Sequence, residues 1–320
     1  MIVAPNTEPA ATIVIPTRNR RQTLLQVVRA ALAQSVPVEV IVCDDASTDG
    51  TGDVLRSEFP HIRYVCSETN LGPTHQRNVG ASMARSPYLV TLDDDCILTS
   101  PRTVEQTLAC FDNSRVGAVT IPFINVLHPQ KPMLQQPSDL PEQLKVTFEY
   151  YGGMIIFRRD VYQAAGGYHS FLFMHVEESD LSIRILNTGH FIRLGNADPI
   201  SHLESPVRDS HRLDRLGPRN QILYAWYNVP LQYLPVHVSG TTLKYLRHGW
   251  NRGTLLTVIK GLFTGYRDVW SQWKFRRPVD LDVYRLSREL KRQPEIYLPD
   301  IEERLPNPFL GETQTPDRRT

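Results

Sequence analysis

Short apolar runs that stop at polar clusters alternate, through the first part of the chain, with segments whose apolar residues recur every three or four positions. Thr12-Ile13-Val14-Ile15 stops at Pro16, Val38 to Cys43 stops at Asp44 and Asp45, and Tyr88 to Leu92 stops at Asp93-Asp94-Asp95. With His61 to Val65, these read as buried strands. Between the first two, Leu24, Leu25, Val28, Ala31 and Leu32 share one helical face, and Pro37 ends the segment. Asp49 or Thr51 is placed to cap a short second helix. Asn70-Leu71-Gly72-Pro73 turns the chain into a third helix, from about Thr74, that carries Arg77 and Asn78. This alternation predicts right-handed βαβ units and an α/β fold with a mainly parallel sheet flanked by helices. The loops after the first, second and fourth strands then line one edge, where open α/β sheets bind ligands.

The later segments are more varied. A helix is expected over 104–111, a strand over 116–121, and a proline-broken lid or acceptor surface over 123–144. Gly152-Gly153, either a tight turn or a close approach to a ligand, precedes a strand over 154–157. A short helix over 159–165 stops at Gly166-Gly167. His175 to Leu186 is a helix with acids at its N-terminal end, and Pro199 to His202 closes a further apolar segment. Arg208, Arg212, Arg215 and Arg219 could close over an anion or form a solvated face. From Gly240 onward, Trp and Leu are interleaved with Lys and Arg, which suits a helical cap or contact with an anionic membrane surface. The expected divisions are a leader (1–11), a first α/β half (12–122), a second half (123–239), a helical appendage (240–298) and a poorly ordered tail (299–320).

Composition narrows the functional classes. In 320 residues, 35 Lys and Arg nearly balance 34 Asp and Glu, so overall charge gives no case for nucleic acid as a partner. Cys43, Cys66, Cys96 and Cys110 contain no CxxC pair, which argues against a disulfide framework or thiolate zinc site and for a reducing, cytoplasmic setting. No secretory signal or membrane-spanning apolar run is evident. Neither a GxGxxG turn nor a phosphate-binding GxxxxGK[ST] loop follows the first strand. The expected edge instead gathers Thr17, Arg18, Asp45, Arg77 and the acidic triplet. Acids can accept from base N–H and ribose hydroxyls, while arginines and a Mg²⁺ or Mn²⁺ ion can hold a diphosphate. Strand alternation would put Asp93 and Asp95 on one face and Asp94 on the other.

Taken in order, Ile13-Val14-Ile15-Pro16-Thr17-Arg18-Asn19-Arg20, Val42-Cys43-Asp44-Asp45-Ala46-Ser47-Thr48-Asp49-Gly50-Thr51, Asn70-Leu71-Gly72 with Arg77-Asn78-Val79-Gly80, and Leu92-Asp93-Asp94-Asp95 resemble the successive motifs of family 2 glycosyltransferases. The resemblance runs from about Thr12 to His202. It implies a GT-A fold, with a Rossmann-like nucleotide-binding half joined to an acceptor half, and inverting, metal-dependent transfer from a nucleoside diphosphate sugar of UDP, dTDP or GDP type. The acceptor hydroxyl would belong to a glycan, a lipid-linked molecule or a small molecule. By the same resemblance, Pro16, Thr17, Arg18, Asp45, Arg77, Asp93 and Asp94 would hold the donor. Asp93 and Asp95 would be the acids of the DxD motif, with Asp95 the direct metal ligand and His202 a second. Glu178 stands where the family places its catalytic base, one methylene longer than the usual Asp, with Glu177 or Asp180 as alternatives. Ala46 departs from a frequent Gly. A sugar nucleotidyltransferase and a non-catalytic nucleotide-sugar-binding protein are the competing readings, and a homo-oligomer is open.

Overall fold

The structure, a computed structural model, describes residues 8–127, 145–203, 210–271, 273–292 and 298–308. Strands β1 (Ala11–Thr17), β2 (Val38–Asp44), β3 (Arg63–Cys66) and β4 (Tyr88–Leu92) pair in parallel in the order β3-β2-β1-β4. β1 is buried along its whole length because its two faces meet different layers. Ile13 and Ile15 pack with Val40, Val42 and Leu92 beneath Leu24, Val27 and Val28 of α1 (Arg21–Leu32). On the other face, Val14, Ile41, Cys43 and Leu89 meet the helix layer that follows α2 (Thr51–Glu58), namely α3 (Pro73–Met83) with Ala81. Each such side chain contributes roughly 1.5–3 kcal/mol on burial, and burial on both sides explains why these strands are continuous apolar runs.

The following strands are β5 (Cys96–Leu98), β6 (Val116–Thr120), β7 (Phe123–Asn125), β8 (Val146–Thr147), β9 (Met154–Arg158), β10 (Phe191–Leu194) and β11 (Ile200–His202). The large sheet has eight strands in the order β3-β2-β1-β4-β9-β6-β10-β8. β9 enters between β4 and β6, antiparallel to both, so the division at 122 does not separate two sheets. This register sets Met154 opposite Leu92 and brings Gly152-Gly153 alongside the acidic triplet. β5, β11 and β7 form a separate sheet in which His202 pairs with Cys96. A residue remote in sequence thereby arrives beside Asp95.

Helices α4 (Thr103–Leu108), α5 (Arg159–Ala164) and α6 (Glu177–Asn187) complete the flanking layers. The helical layer then begins earlier than the composition change at Gly240: α7 (Ser210–Asn228) and α8 (Leu234–Arg252) precede α9 (Leu255–Ser271), and Gly240 lies inside α8. α7 and α9 approach closely, because a Cβ on Gly261 or Gly265 would press on the Arg215 or Arg219 carbonyl oxygen. The expected tail also needs correction. α10 (Leu281–Leu290) and α11 (Leu298–Glu302) lead into a segment where Ile301 and Leu305, four residues apart, are buried in the core around Phe191 and Leu286. Arg115 donates to the Pro306 carbonyl at 2.6 Å. The remainder of that tail, and the bulk of the expected 123–144 lid, fall outside the described residues, as does Arg208.

Candidate active site

β4 ends at Leu92, so the acidic triplet occupies a turn rather than a strand. The predicted alternation therefore stops after Asp93, and the expectation that Asp93 and Asp95 share a face is corrected. Asp93 points to α3, where Arg77 Nη2 donates to its Oδ1 at 2.6 Å. Asp94 and Asp95 converge on Arg20, whose Nη1 donates to Asp94 Oδ1 at 3.1 Å and Asp95 Oδ2 at 2.6 Å. Thr17 Oγ1 also donates to Asp94, at 2.8 Å. Burial, reinforced by Asp95 and Asp93 and opposed by Arg20, pushes the Asp94 carboxyl up to about 7. Arg20 was not singled out in the sequence; its signal was the cation three residues beyond Thr17, at the entry to α1.

These groups line a cleft of about 640 Å³ at the expected sheet edge, with Pro16, Arg18, Asp45, Glu178 and His202. Asp45 is buried, and its carboxylate accepts from the backbone N–H of Leu71 and Gly72 at 2.7 and 3.0 Å and from Gln76 Nε2 at 2.9 Å. Its observed contacts thus fix the Asn70-Leu71-Gly72 turn. Ala46, next in the chain, has φ +60°, the left-handed region that explains the frequent Gly at this point. The glycine pair before β9 has a comparable reason: a Cβ on Gly153 would collide with the Asp93 carboxylate, and one on Gly152 with the Arg77 guanidinium.

The base candidates come from the start of α6. Glu177 and Glu178 both reach the cleft; Asp180 does not. Asp180 is buried and accepts from Arg184 at 2.6 Å and Asn228 at 2.7 Å, with His169 Nδ1 2.9 Å away. Burial works against its charge, yet these partners prevail and hold its carboxyl well below the usual range. Asp180 therefore anchors α6 to α7. Glu177 Oε1 lies 3.8 Å from Arg77 Nη1, and its other oxygen is buried with no hydrogen-bond partner among the described residues. Burial raises both glutamates above their ordinary values; Glu178 adds to the effect on Glu177, and Arg77 opposes it on both. A raised carboxyl of this kind is suited to accepting a proton near neutral pH.

The chain enters α6 under strain that the sequence did not signal. Phe173, His175 and Val176 all have positive φ, at +62°, +70° and +73°; for a β-branched residue such as Val176 this costs about 1–3 kcal/mol. The buried Asn220 of α7 holds the segment by donating from Nδ2 to the carbonyls of Leu172, Met174 and His175, each at 2.8 Å. Arg219, one of the arginines expected to close over an anion or form a solvated face, is committed to Asp268 at 2.8 Å and the Phe171 carbonyl at 2.9 Å. Arg212 remains at the cleft, over the Phe173 ring at 4.9 Å.

Among the described residues, ligand atoms of Asp95, Cys96 and His202 lie within 4.8 Å of one another. His202 Nε2 is 3.7 Å from Asp95 Oδ1. Burial, aided by the neighbouring acids, raises the Cys96 thiol well above its ordinary value. A carboxylate and an imidazole opening onto a cleft fit a divalent cation whose remaining ligands are substrate oxygens. Asp93, committed to Arg77, is not part of this group.

The description "Glycosyl transferase family 2" matches residues 12–166. The succinoglycan biosynthesis protein ExoO of Rhizobium meliloti is 36% identical over 89 residues, which are 27% of this chain and 26% of that protein. The UDP-Glc:alpha-D-GlcNAc-diphosphoundecaprenol beta-1,3-glucosyltransferase WfaP of Escherichia coli is 34% identical over 86 residues, 26% of this chain and 34% of that protein. The match thus spans only about a quarter to a third of these relatives. In fold, the chain is similar to the mannosyltransferase PcManGT from Pyrobaculum calidifontis, solved with GDP-Man and Mn²⁺, at a TM-score of 0.53 and 18% identity over 91% of this chain and 85% of that one. The sheet, the ordered motifs along its edge and these similarities identify residues 12–166 as a family 2 glycosyl transferase region on a GT-A fold.

Proposed function

We propose that the protein transfers a sugar from a nucleoside diphosphate sugar to an acceptor hydroxyl with inversion, in the biosynthesis of a polysaccharide or other glycoconjugate. The observation that carries this reading is the meeting, in one cleft, of a carboxylate pair at the start of α6 with the Asp95–His202 pair brought together by β5 and β11. Glu178 takes the proton of the attacking hydroxyl as the anomeric carbon–oxygen bond to the diphosphate breaks, and no covalent intermediate forms. Asp95 and His202 would hold a Mg²⁺ or Mn²⁺ ion, which supplies positive charge to the departing diphosphate. Arg18, Arg20 and Arg212 offer further cations at the same cleft.

The UDP-Glc-dependent glucosyltransferase WfaP, and PcManGT solved with GDP-Man and Mn²⁺, support a nucleotide-sugar donor and a divalent cation. A thermal-shift titration with UDP, dTDP and GDP, each with and without Mn²⁺, tests the donor site. One nucleotide should raise the melting temperature in a concentration- and metal-dependent way. Equal shifts with and without Mn²⁺ would contradict the metal assignment, and no shift with any nucleotide would contradict the donor site.

A further inference from the structure

The α8–α9 hairpin carries apolar residues that no other described residue covers. On α9, Val258, Gly261, Leu262 and Gly265 face inward and are buried. Leu256, Ile259, Phe263, Tyr266 and Trp270, spaced three and four apart, form a second, outward stripe that is 43–84% exposed. On α8, Val236, Leu243 and Trp250 recur every seven residues at 68–75% exposure. A folded chain rarely leaves so many large apolar side chains in contiguous solvent-facing rows without a partner.

Charge identifies the partner. From Leu243 to Lys274 the chain carries six basic residues, Lys244, Arg247, Arg252, Lys260, Arg267 and Lys274, and all are exposed. The same segment has one acid, Asp268, whose carboxylate already accepts from Arg219 and Arg267. The whole chain has a net charge of only +1, so this face is a local excess of positive charge. A second copy docked face to face by twofold symmetry would set like charges together. Apolar and tryptophan side chains bordered by Lys and Arg suit the headgroup boundary of an anionic bilayer. Among the described residues no helix is long and apolar enough to cross a membrane, which leaves lying at the surface as the mode of contact.

We propose that the outer face of α8 and α9 docks the enzyme on an anionic membrane surface. The basic side of α8 also reaches the catalytic cleft. Lys244, Arg247 and Arg252 line a cavity of about 570 Å³ that shares His175 and Leu213 with it.

The test is flotation of the full chain with phosphatidylcholine vesicles, with and without phosphatidylglycerol, read alongside tryptophan emission. Three of the four tryptophans, Trp250, Trp270 and Trp273, are exposed in this region, so docking shifts the emission to the blue. The protein floats with anionic vesicles at low salt and is released at high salt. The double variant K260E/R267E weakens partitioning about tenfold or more, and F263S/W270S abolishes the emission shift, while both retain wild-type nucleotide binding as evidence of folding. Equal binding to both vesicle types, no binding to either, or wild-type partitioning by K260E/R267E overturns the proposal. So does a dimer in sedimentation velocity that F263S/W270S dissolves without any vesicle binding by the wild type.

Discussion

Arg77 is the cation around which the carboxylates at one end of the cleft are arranged, and replacing it with Met removes its charge while keeping much of its bulk. Arg77 is 4% exposed, lies 3.8 Å from Glu177 and donates to Asp93. At an effective dielectric of about 20, the Glu177 interaction is worth about 4 kcal/mol before the cost of desolvating the guanidinium. The Asp93 side chain is 36% exposed, so solvent screens that contact and it adds little. Breaking a buried pair by removing one partner costs about 3–5 kcal/mol, and R77M should lose about 3 kcal/mol near neutral pH.

The loss should depend on pH, and its sign follows from the two glutamates. Burial already raises Glu177 and Glu178, and without Arg77 they rise further. A carboxyl whose folded pKa exceeds its unfolded value takes up a proton on folding. Its contribution to stability is present below the unfolded pKa and is lost as pH rises through the folded value. R77M should therefore be less impaired at about pH 5 than at about pH 8. Urea unfolding of wild type and variant at both pH values measures this. A loss under about 1 kcal/mol at the higher pH, or equal losses at both, would refute the reasoning.

Asp180→Asn should cost about 3 kcal/mol at neutral pH, measured by chemical denaturation. Because the folded pKa of Asp180 is depressed, the gap between variant and wild type should close as pH falls below its ordinary 3.8. A46G relieves a left-handed alanine and should stabilise the fold by up to about 1 kcal/mol; a lower melting temperature would contradict this. In a pH–rate profile, activity should fall with decreasing pH through an apparent value above the ordinary 4.5 of a glutamate. That limb belongs to the Glu177–Glu178 pair jointly.

The first four strands, their parallel pairing and the edge they share were legible because two-sided burial writes continuous apolar runs that end where the backbone turns. The acidic triplet was legible as an acidic cluster at the strand end but not in its geometry. Alternation applies only while the strand lasts, and β4 ends at Leu92. Arg20 and the Asn220 clamp were not legible, since each acts on residues more than forty positions away and leaves no local pattern. The glycine pair at 152–153 could be read as a turn or a close approach, and β9's pairing with β4 supplied the reason. Ile301 and Leu305 were hidden in a segment whose charge and proline content suggested disorder, because two apolar residues one turn apart are too few to stand out.

The most direct test of the central claim is release of nucleoside diphosphate from a panel of nucleotide sugars with Mn²⁺, comparing wild type, D95A and E178Q, each also titrated with the nucleotide. The account predicts turnover by wild type and loss of metal-dependent nucleotide binding in D95A. E178Q should bind nucleotide normally, with turnover reduced about a hundredfold or more. Wild-type turnover by E178Q would contradict the assignment of Glu178 as the base, and undiminished metal-dependent binding by D95A would contradict the metal site.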